Sequence, residues 1–532
     1  DGAPQQESHN WLRRQVQRLR GPRRGNVVIA QVGAGARNIV IGTHNVQINV
    51  GGRNLTVPVL LIPLLLLILV GFVVYPLAEP LWNPAQMTGQ FRIAVAEFGQ
   101  MDADGHVRAT ENGQVLSRWL FQALYDEYQN NADMEIAHAI EIWHDSRTDT
   151  PQNVRFGIMV GDTPQARRAA AARLADRIQA HMVIYGNLVP DGDAKRLELE
   201  FYLSPLVNDE TAALVGPHRL GKPILLPASF DSNQPEVNIV TGEKLQVRAD
   251  ALFWLTIGLT QQVLGRSQQA LETFQRAESQ LTDWPDSDGK EILYFFIGRE
   301  ELFLGHSEQA EADFRHALAI EPSYARAEVA LGSSFRQRAQ AIPPEERLKQ
   351  PNYLQQALDH HRRGLELAMS TQDPLIEAVA HIALAKSYRL MGETQLFLDA
   401  YAEASRSFDL ALGEVQQAVP LLKDTRQYRL LAQAYEAQGA AYLQQGLILQ
   451  GQGKTAESRA HLEMARSAYQ SCIDQGDKAF YDQILRQQVI EQGCQRYMNV
   501  TQEHLQKLGQ PVSQVPGTGW SAPGLLLVLA EP

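Results

Sequence analysis

Cysteine is nearly absent: of 532 residues, only positions 472 and 494 are cysteine. That excludes a disulfide scaffold and a cysteine-rich metal site, and leaves room for one bridge between Cys472 and Cys494. Basic charge is in deficit as well, with 48 Lys and Arg against 60 Asp and Glu, a formal net charge of -12 and a pI near 5.7. A nucleic-acid binder needs a basic footprint to displace counterions from phosphates, so no nucleic-acid partner is expected. The motifs of catalysis are missing too, since neither G-x-S-x-G nor H-E-x-x-H occurs. Two glycine-rich stretches fail as phosphate cradles. In VGAGARN (32–38) Asn38 stands at the third glycine position and a strand-like run follows; before GQGKT (451–455) Ile448 occupies the glycine position that a Walker loop requires. His144 and Asp145 close a predicted strand, where side chains of neighbours point to opposite faces, so they form no dyad and His144 reads as a turn histidine. No enzyme activity, cofactor or metal is expected.

What is present falls into eight parts. Residues 1–24 hold a basic segment, WLRRQVQRLRGPRR, suited to an anionic membrane surface or to a solvated arm that sets topology. Residues 25–54 alternate Val and Ile with polar residues between glycines, which predicts strands at 27–32, 39–41 and 46–50 in a small β element that pairs with another copy or domain. From Leu55 to Leu77 no charge interrupts LTVPVLLIPLLLLILVGFVVYPL, a run long enough for a transmembrane helix, with Tyr75 and Trp82 as interfacial anchors. Pro63 must kink that helix or delay its start. Arg37 and Arg53 precede the run and Glu79 follows it, so the positive-inside rule places the N-terminus in the cytoplasm and the rest of the chain across a cell membrane.

Residues 87–205 read as an α/β domain: strands at 91–98, 140–143, 182–188 and 197–203, with helices at 113–128 and after Thr163-Pro164. The opening IAVAEF and the helix-to-strand passage LADRIQAHMVIYGNL resemble the TolB N-terminal and CsgG-like domains of bacterial envelope proteins. That resemblance implies a binding or assembly module. Residues 206–248, rich in Pro, Gly, Asn and Asp, read as a connector.

From residue 249 to 477 a helical pattern repeats. In ILYFFIGREELFLGHSEQAEADFRHALAIEP (292–322), Tyr294, Gly298, Ala310, Phe314, Ala317 and Pro322 fall at fixed spacing, and Gly332 follows Gly298 by 34 residues. Trp254, Gly258, Ala270, Phe274 and Ala277 repeat the pattern upstream; looser copies carry Gly332 with Ala357, Ala385 with Phe408, and Gly439 with Tyr469. Small residues let paired helices approach, an aromatic fills the groove, and proline ends the second helix. This pattern closely resembles the tetratricopeptide (TPR) family. The resemblance implies an all-α superhelix, capped by an amphipathic stretch at 478–508 and followed by a disordered tail at 509–532. It further implies a concave groove faced by residues just after each signature glycine and one turn on: Arg299, Ser333, Arg336, Lys386 and Arg389. Basic side chains in an acidic protein suit an acidic protein or peptide partner, or a C-terminal carboxylate. The whole then reads as an α/β domain plus TPR superhelix on a single-pass membrane anchor, acting as an interaction scaffold. The alternatives are a signalling component whose α/β domain binds a small ligand or serves an upstream effector, and a self-associating envelope-assembly protein.

Overall fold

The computed structural model describes residues 28–30, 36–41, 45–50, 53–58, 85–131, 134–145, 156–205, 214–226, 238–349, 352–423, 425, 427–478 and 485–509. The chain divides into two units, 1–85 and 86–532.

In the first unit, β1 (Val28–Ala30), β2 (Ala36–Ile41), β3 (Asn45–Val50) and β4 (Arg53–Pro58) form an antiparallel meander in chain order. The alternation of Val and Ile predicts the first three strands; the fourth overturns part of the expected membrane helix. Leu55, Thr56 and Val57 are strand residues opposite Ile48, Gln47 and Val46, because the period-two pattern runs on past residue 54 into the apolar run. No helix among the described residues is long and apolar enough to cross a membrane, and residues 59–77 of the expected span lie outside them. The single-pass transmembrane helix is therefore withdrawn from the fold.

The second unit begins with a mixed sheet. Its path runs β11 (Gly216–Arg219), β10 (Ala194–Leu203), β9 (Met182–Asp191), β5 (Phe91–Val95), β8 (Ile140–His144), with a small hairpin of β6 (Gly99–Met101) and β7 (Val107–Ala109) beside β9, and β12 (Ile224–Leu226) beside β10. Helices α1 (Glu111–Asn131) and α2 (Met134–Ala139) lead from β5 to β8, and α3 (Pro164–Ile178) leads from β8 to β9; β5 is parallel to both neighbours. The start of α3 is set as the sequence predicts: the Thr163 side chain accepts from the amide of Ala166, and Pro164 occupies the first turn. Between β9 and β10, Gly192 takes φ 58° in a two-residue turn. The stretch read as a connector, 206–248, contributes two strands to this sheet and the first turns of the next helix.

Antiparallel helix pairs follow. They are α4 (Asn238–Val263) with α5 (Ser267–Gln280), α6 (Glu291–Phe303) with α7 (Ser307–Ile320), α8 (Ala325–Ala341) with α9 (Tyr353–Ser370), α10 (Pro374–Phe397) with α11 (Tyr401–Leu422), and α12 (Tyr428–Gly451) with α13 (Thr455–Lys478). A π-helical segment (Leu485–Gln495) and α14 (Arg496–Gly509) close the end, packed on α13. The GQGKT stretch is the turn between α12 and α13, with Gly453 at φ 75°.

Each pair is keyed by a glycine on its first helix. A Cβ on Gly258 would sit 2.3 Å from the Phe274 ring, on Gly298 3.0 Å from Phe314, and on Gly439 2.7 Å from Tyr469. In the third pair a buried histidine takes the aromatic's place: a Cβ on Gly332 would meet His361 Cδ2 at 2.3 Å and the Ala357 carbonyl at 2.9 Å. The backbone carbonyl cannot swing aside, so Gly332→Ala is expected to cost about 1–3 kcal/mol by forcing α8 and α9 apart. The urea midpoint checks it; an unchanged midpoint would show that the two helices are not this close.

The sheet and the first repeats share one core. Phe91, Ile184, Leu199 and Phe201 belong to the same buried cluster as Phe253, Phe274, Phe296, Phe314 and Phe335. His218 of β11 stacks on Phe201 at 5.1 Å and lies 5.9 Å from the Phe296 ring. Arg326 of α8, almost wholly buried, donates to the carbonyls of Val215 (3.0 Å) and Pro217 (3.4 Å) beside β11. A second cluster, from Leu358 to Ile448, serves the later pairs alone.

Candidate functional site

The first helices of the pairs stack side by side, α8 against α10 and α10 against α12, so residues on their inner faces meet. Arg336 lies on α8, Lys386 and Arg389 on α10, and Gln433 and Glu436 on α12. The helical repeat spaces Lys386 and Arg389, and Gln433 and Glu436, by three residues, which puts each pair on one face. Lys386 Nζ donates to Gln433 Oε1 at 3.1 Å, Arg336 to Gln340 Oε1 at 3.0 Å, and Arg389 to Glu393 Oε1 at 3.1 Å.

All three basic side chains are half-buried: protein surrounds them, yet solvent still reaches them. Burial, then Arg336 and to a smaller extent Arg389, pushes the Lys386 ammonium down to about 8, against the pull of Glu436. Burial and the neighbouring Arg389 lower Arg336 to about 10. Arg389 moves the other way, held in its charged form chiefly by Glu393 and also by Glu436. Arg336 and Lys386 are thus harder to charge than free side chains, through burial first and through their cationic neighbours second.

The remaining two expected groove residues are placed differently. Ser333 hydroxyl donates to the Val329 carbonyl (3.1 Å) and lies 3.4 Å from His361 Nε2, while Ser387 lies 3.1 Å from His361 Nδ1. Burial pushes His361 down to about 3, so the ring is neutral and Ser333, His361 and Ser387 form a buried polar chain that ties α8, α9 and α10 together. Arg299 is separated from the cluster. Only 2% of it is exposed, it pairs with Glu300 at 3.1 Å, and it lies within electrostatic reach of His218 on β11. His144 and Asp145 do not act together: His144 is buried against the Phe121 ring at 5.0 Å and pushed down to about 4 by burial, and the Asp145 carboxylate accepts from the amides of Phe156 and Gly157. His144 is thus a core residue at a strand end rather than a turn histidine.

A cavity of about 520 Å³ also lies where α4 meets the loop after α5, lined by Lys244, Arg248, Trp284 and the acids Glu243, Asp250, Asp283 and Asp288. Arg248 covers the Trp284 ring at 4.6 Å and donates to the Asp288 carbonyl. Four acids against two cations disfavour an acidic ligand there, in contrast to the groove.

Stacked antiparallel helix pairs with a glycine-keyed crossing define the class: a helical-repeat solenoid. Residues 292–324, which span α6 and α7, match the family model described as tetratricopeptide repeat. Among solved structures, a thermophilic TPR protein of Thermus thermophilus is 20% identical over 43% of this chain and 94% of that one, with a TM-score of 0.31. No curated protein matches the sequence. The resemblance of residues 87–205 to TolB-type and CsgG-like domains rests on sequence alone.

Proposed function

We propose that this protein is a non-enzymatic interaction scaffold, and that the inner face of α8, α10 and α12 binds an acidic segment of a protein partner. TPR repeats support the scaffold reading in general. The observation that carries the finer reading is the convergence of Arg336, Lys386 and Arg389 from two adjacent repeats on one half-buried surface. Charged acceptors on the partner can supply what Glu393 and Glu436 do not. The Cys472–Cys494 bridge supports an oxidising compartment, outside the cytoplasm, for the repeats.

The lowered Lys386 gives the test. Its ammonium is charged below about 8 and loses its charge as the pH rises through that value, so affinity for an acidic peptide should fall between pH 7 and pH 9. Lys386→Arg keeps its charge throughout this range and should flatten the profile. Titration calorimetry at three pH values decides it; the same fall in the arginine variant would place the titrating group elsewhere.

A further inference from the structure

The cavity where α4 meets the loop after α5 lies outside the inner groove, for its helical residues, 243–250, precede Trp254, the first signature residue of the first repeat. One carbonyl ties its walls together. That of Asp288 accepts from the Lys222 amide in the turn after β11 (2.8 Å), from Arg248 Nη2 on α4 (3.0 Å) and from Trp284 Nε1 (3.4 Å). A Cβ added to Gly221, at φ 77°, would lie 2.8 Å from both the Arg248 guanidinium carbon and the Asp288 oxygen, so the sheet closes tightly on this corner. Arg248 is only 4% exposed, it lines the cavity, and its Nε has no hydrogen-bond acceptor. A buried donor of this kind is costly and calls for a partner. The Asp288 carbonyl, with two lone pairs and three donors already on it, has no capacity left.

The complementary chemistry lies beside it. Glu243 and Asp250 are two turns apart on one face of α4, and Asp283 and Asp288 stand on the loop. Burial, with a smaller push from Glu127, raises the Asp250 carboxyl above its ordinary value, against the hydrogen bond that Gln246 donates at 2.8 Å. Lys244 and Arg248 offset two of the four carboxylates, which leaves two negative charges among the lining residues. A bare cation would answer those charges and leave Arg248 Nε unmet; an anion would do the reverse. The ligand must carry both a cationic group and an acceptor.

We propose that this cavity binds an arginine moiety, free or as a residue of a peptide, with its guanidinium on the carboxylates and its carboxylate or carbonyl oxygen on Arg248 Nε. A guanidinium presents five N–H donors in a planar fork and so can engage carboxylates from both the helix and the loop. The volume, about 520 Å³, falls within the range of small-ligand pockets.

The test is titration calorimetry on the full chain with L-arginine, N-acetyl-L-arginine amide, agmatine and L-citrulline. Agmatine has the higher positive charge and no acceptor, so charge alone ranks it first; the site described here ranks an arginine form above it by about tenfold. Binding of L-arginine alone assigns the ligand to the free amino acid, and binding of the capped form assigns it to a peptide residue; either outcome supports the site. Asp250→Asn still accepts from Gln246 and removes a carboxyl that burial disfavours. Its melting temperature should therefore hold or rise while arginine affinity falls about tenfold. Arg248→Lys should abolish the preference over agmatine, and if that variant does not fold, the ranking on the unaltered chain decides. Agmatine binding as well as both arginine forms, citrulline binding as well as L-arginine, unchanged affinity in Asp250→Asn, or no heat from either arginine form each overturns the proposal, and each leaves the groove reading standing.

Discussion

With Arg336 and Lys386 both exchanged for glutamate, binding of an acidic peptide should fall at least a hundredfold. The unaltered locality carries three cations and two carboxylates, a sum of plus one; two reversals change it by minus four, to minus three. Each reversal replaces an attraction by a repulsion at close range. A unit-charge pair about 4 Å apart near a protein surface interacts by about 4 kcal/mol, and truncating one partner of a desolvated charge pair costs about 2–5 kcal/mol. A hundredfold is therefore the lower bound. The fold should tolerate the change, because both side chains reach solvent and the aromatic and glycine contacts between helices do not involve them. Far-ultraviolet circular dichroism controls for helix content. Affinity within threefold of the unaltered chain, at unchanged helicity, would remove the groove from the list of binding surfaces.

Removing the bridge between Cys472 and Cys494 should have the largest effect on stability, and that effect should be local. The two sulfurs are fully buried and join α13 to the π-helical segment across 22 residues of sequence. Closing a loop of that length removes about 3 kcal/mol worth of unfolded-state freedom. A stack of repeats contacts only its neighbours, so the loss stays near the break. In Cys472→Ser/Cys494→Ser, hydrogen exchange should accelerate through residues 485–509 and at the end of α13, while α4 to α8 exchange as before. Uniform acceleration along the whole array would show that the repeats unfold as one block. The same variant bears on the groove: Tyr469 is one turn before Cys472 on α13, and Tyr497 one turn after Cys494, so the bridge clamps the stacked tyrosine pair beside Arg389.

Much of the solenoid was legible because its spacing is a packing rule. Gly258 with Phe274 and Gly298 with Phe314 stand in the sequence at the interval that two antiparallel helices impose. The later pairs read less clearly because their helices are longer, 22–24 residues in α10 to α13 against 13–17 in α6 to α8. There the small residue at the crossing is Gly392, whose added Cβ would lie 2.7 Å from Phe408, two turns beyond the Ala385 that the repeat interval selects. The same lengthening moves the inward-facing polar residues of α12 to Gln433 and Glu436, two turns before the positions that the rule applied to Gly439 would choose. Arg336, Lys386 and Arg389 followed from local spacing and do come together. Arg299 obeys the same rule but is buried within electrostatic reach of His218 on β11, which no local pattern announces, since that strand comes from a segment about 80 residues upstream and reads as a connector. The apolar run at 55–77 shows the converse: hydropathy over a window reports an average, and four residues of strand at its start are invisible to it.

The shared core of sheet and repeats also fixes an order of events during synthesis. The ribosome delivers the strands first, and β10 can complete its pairing with β9 as soon as residue 203 has emerged. Yet Phe201 and other apolar residues of the sheet share one buried cluster with residues of α4, α6 and α8, the last of which ends at residue 341. Through well over a hundred residues of elongation the nascent chain therefore carries a paired sheet with one apolar face open to water, the state most exposed to aggregation. Messages truncated within that interval should yield insoluble product, and the same strands should become soluble once α8 and its Arg326 clasp have been made.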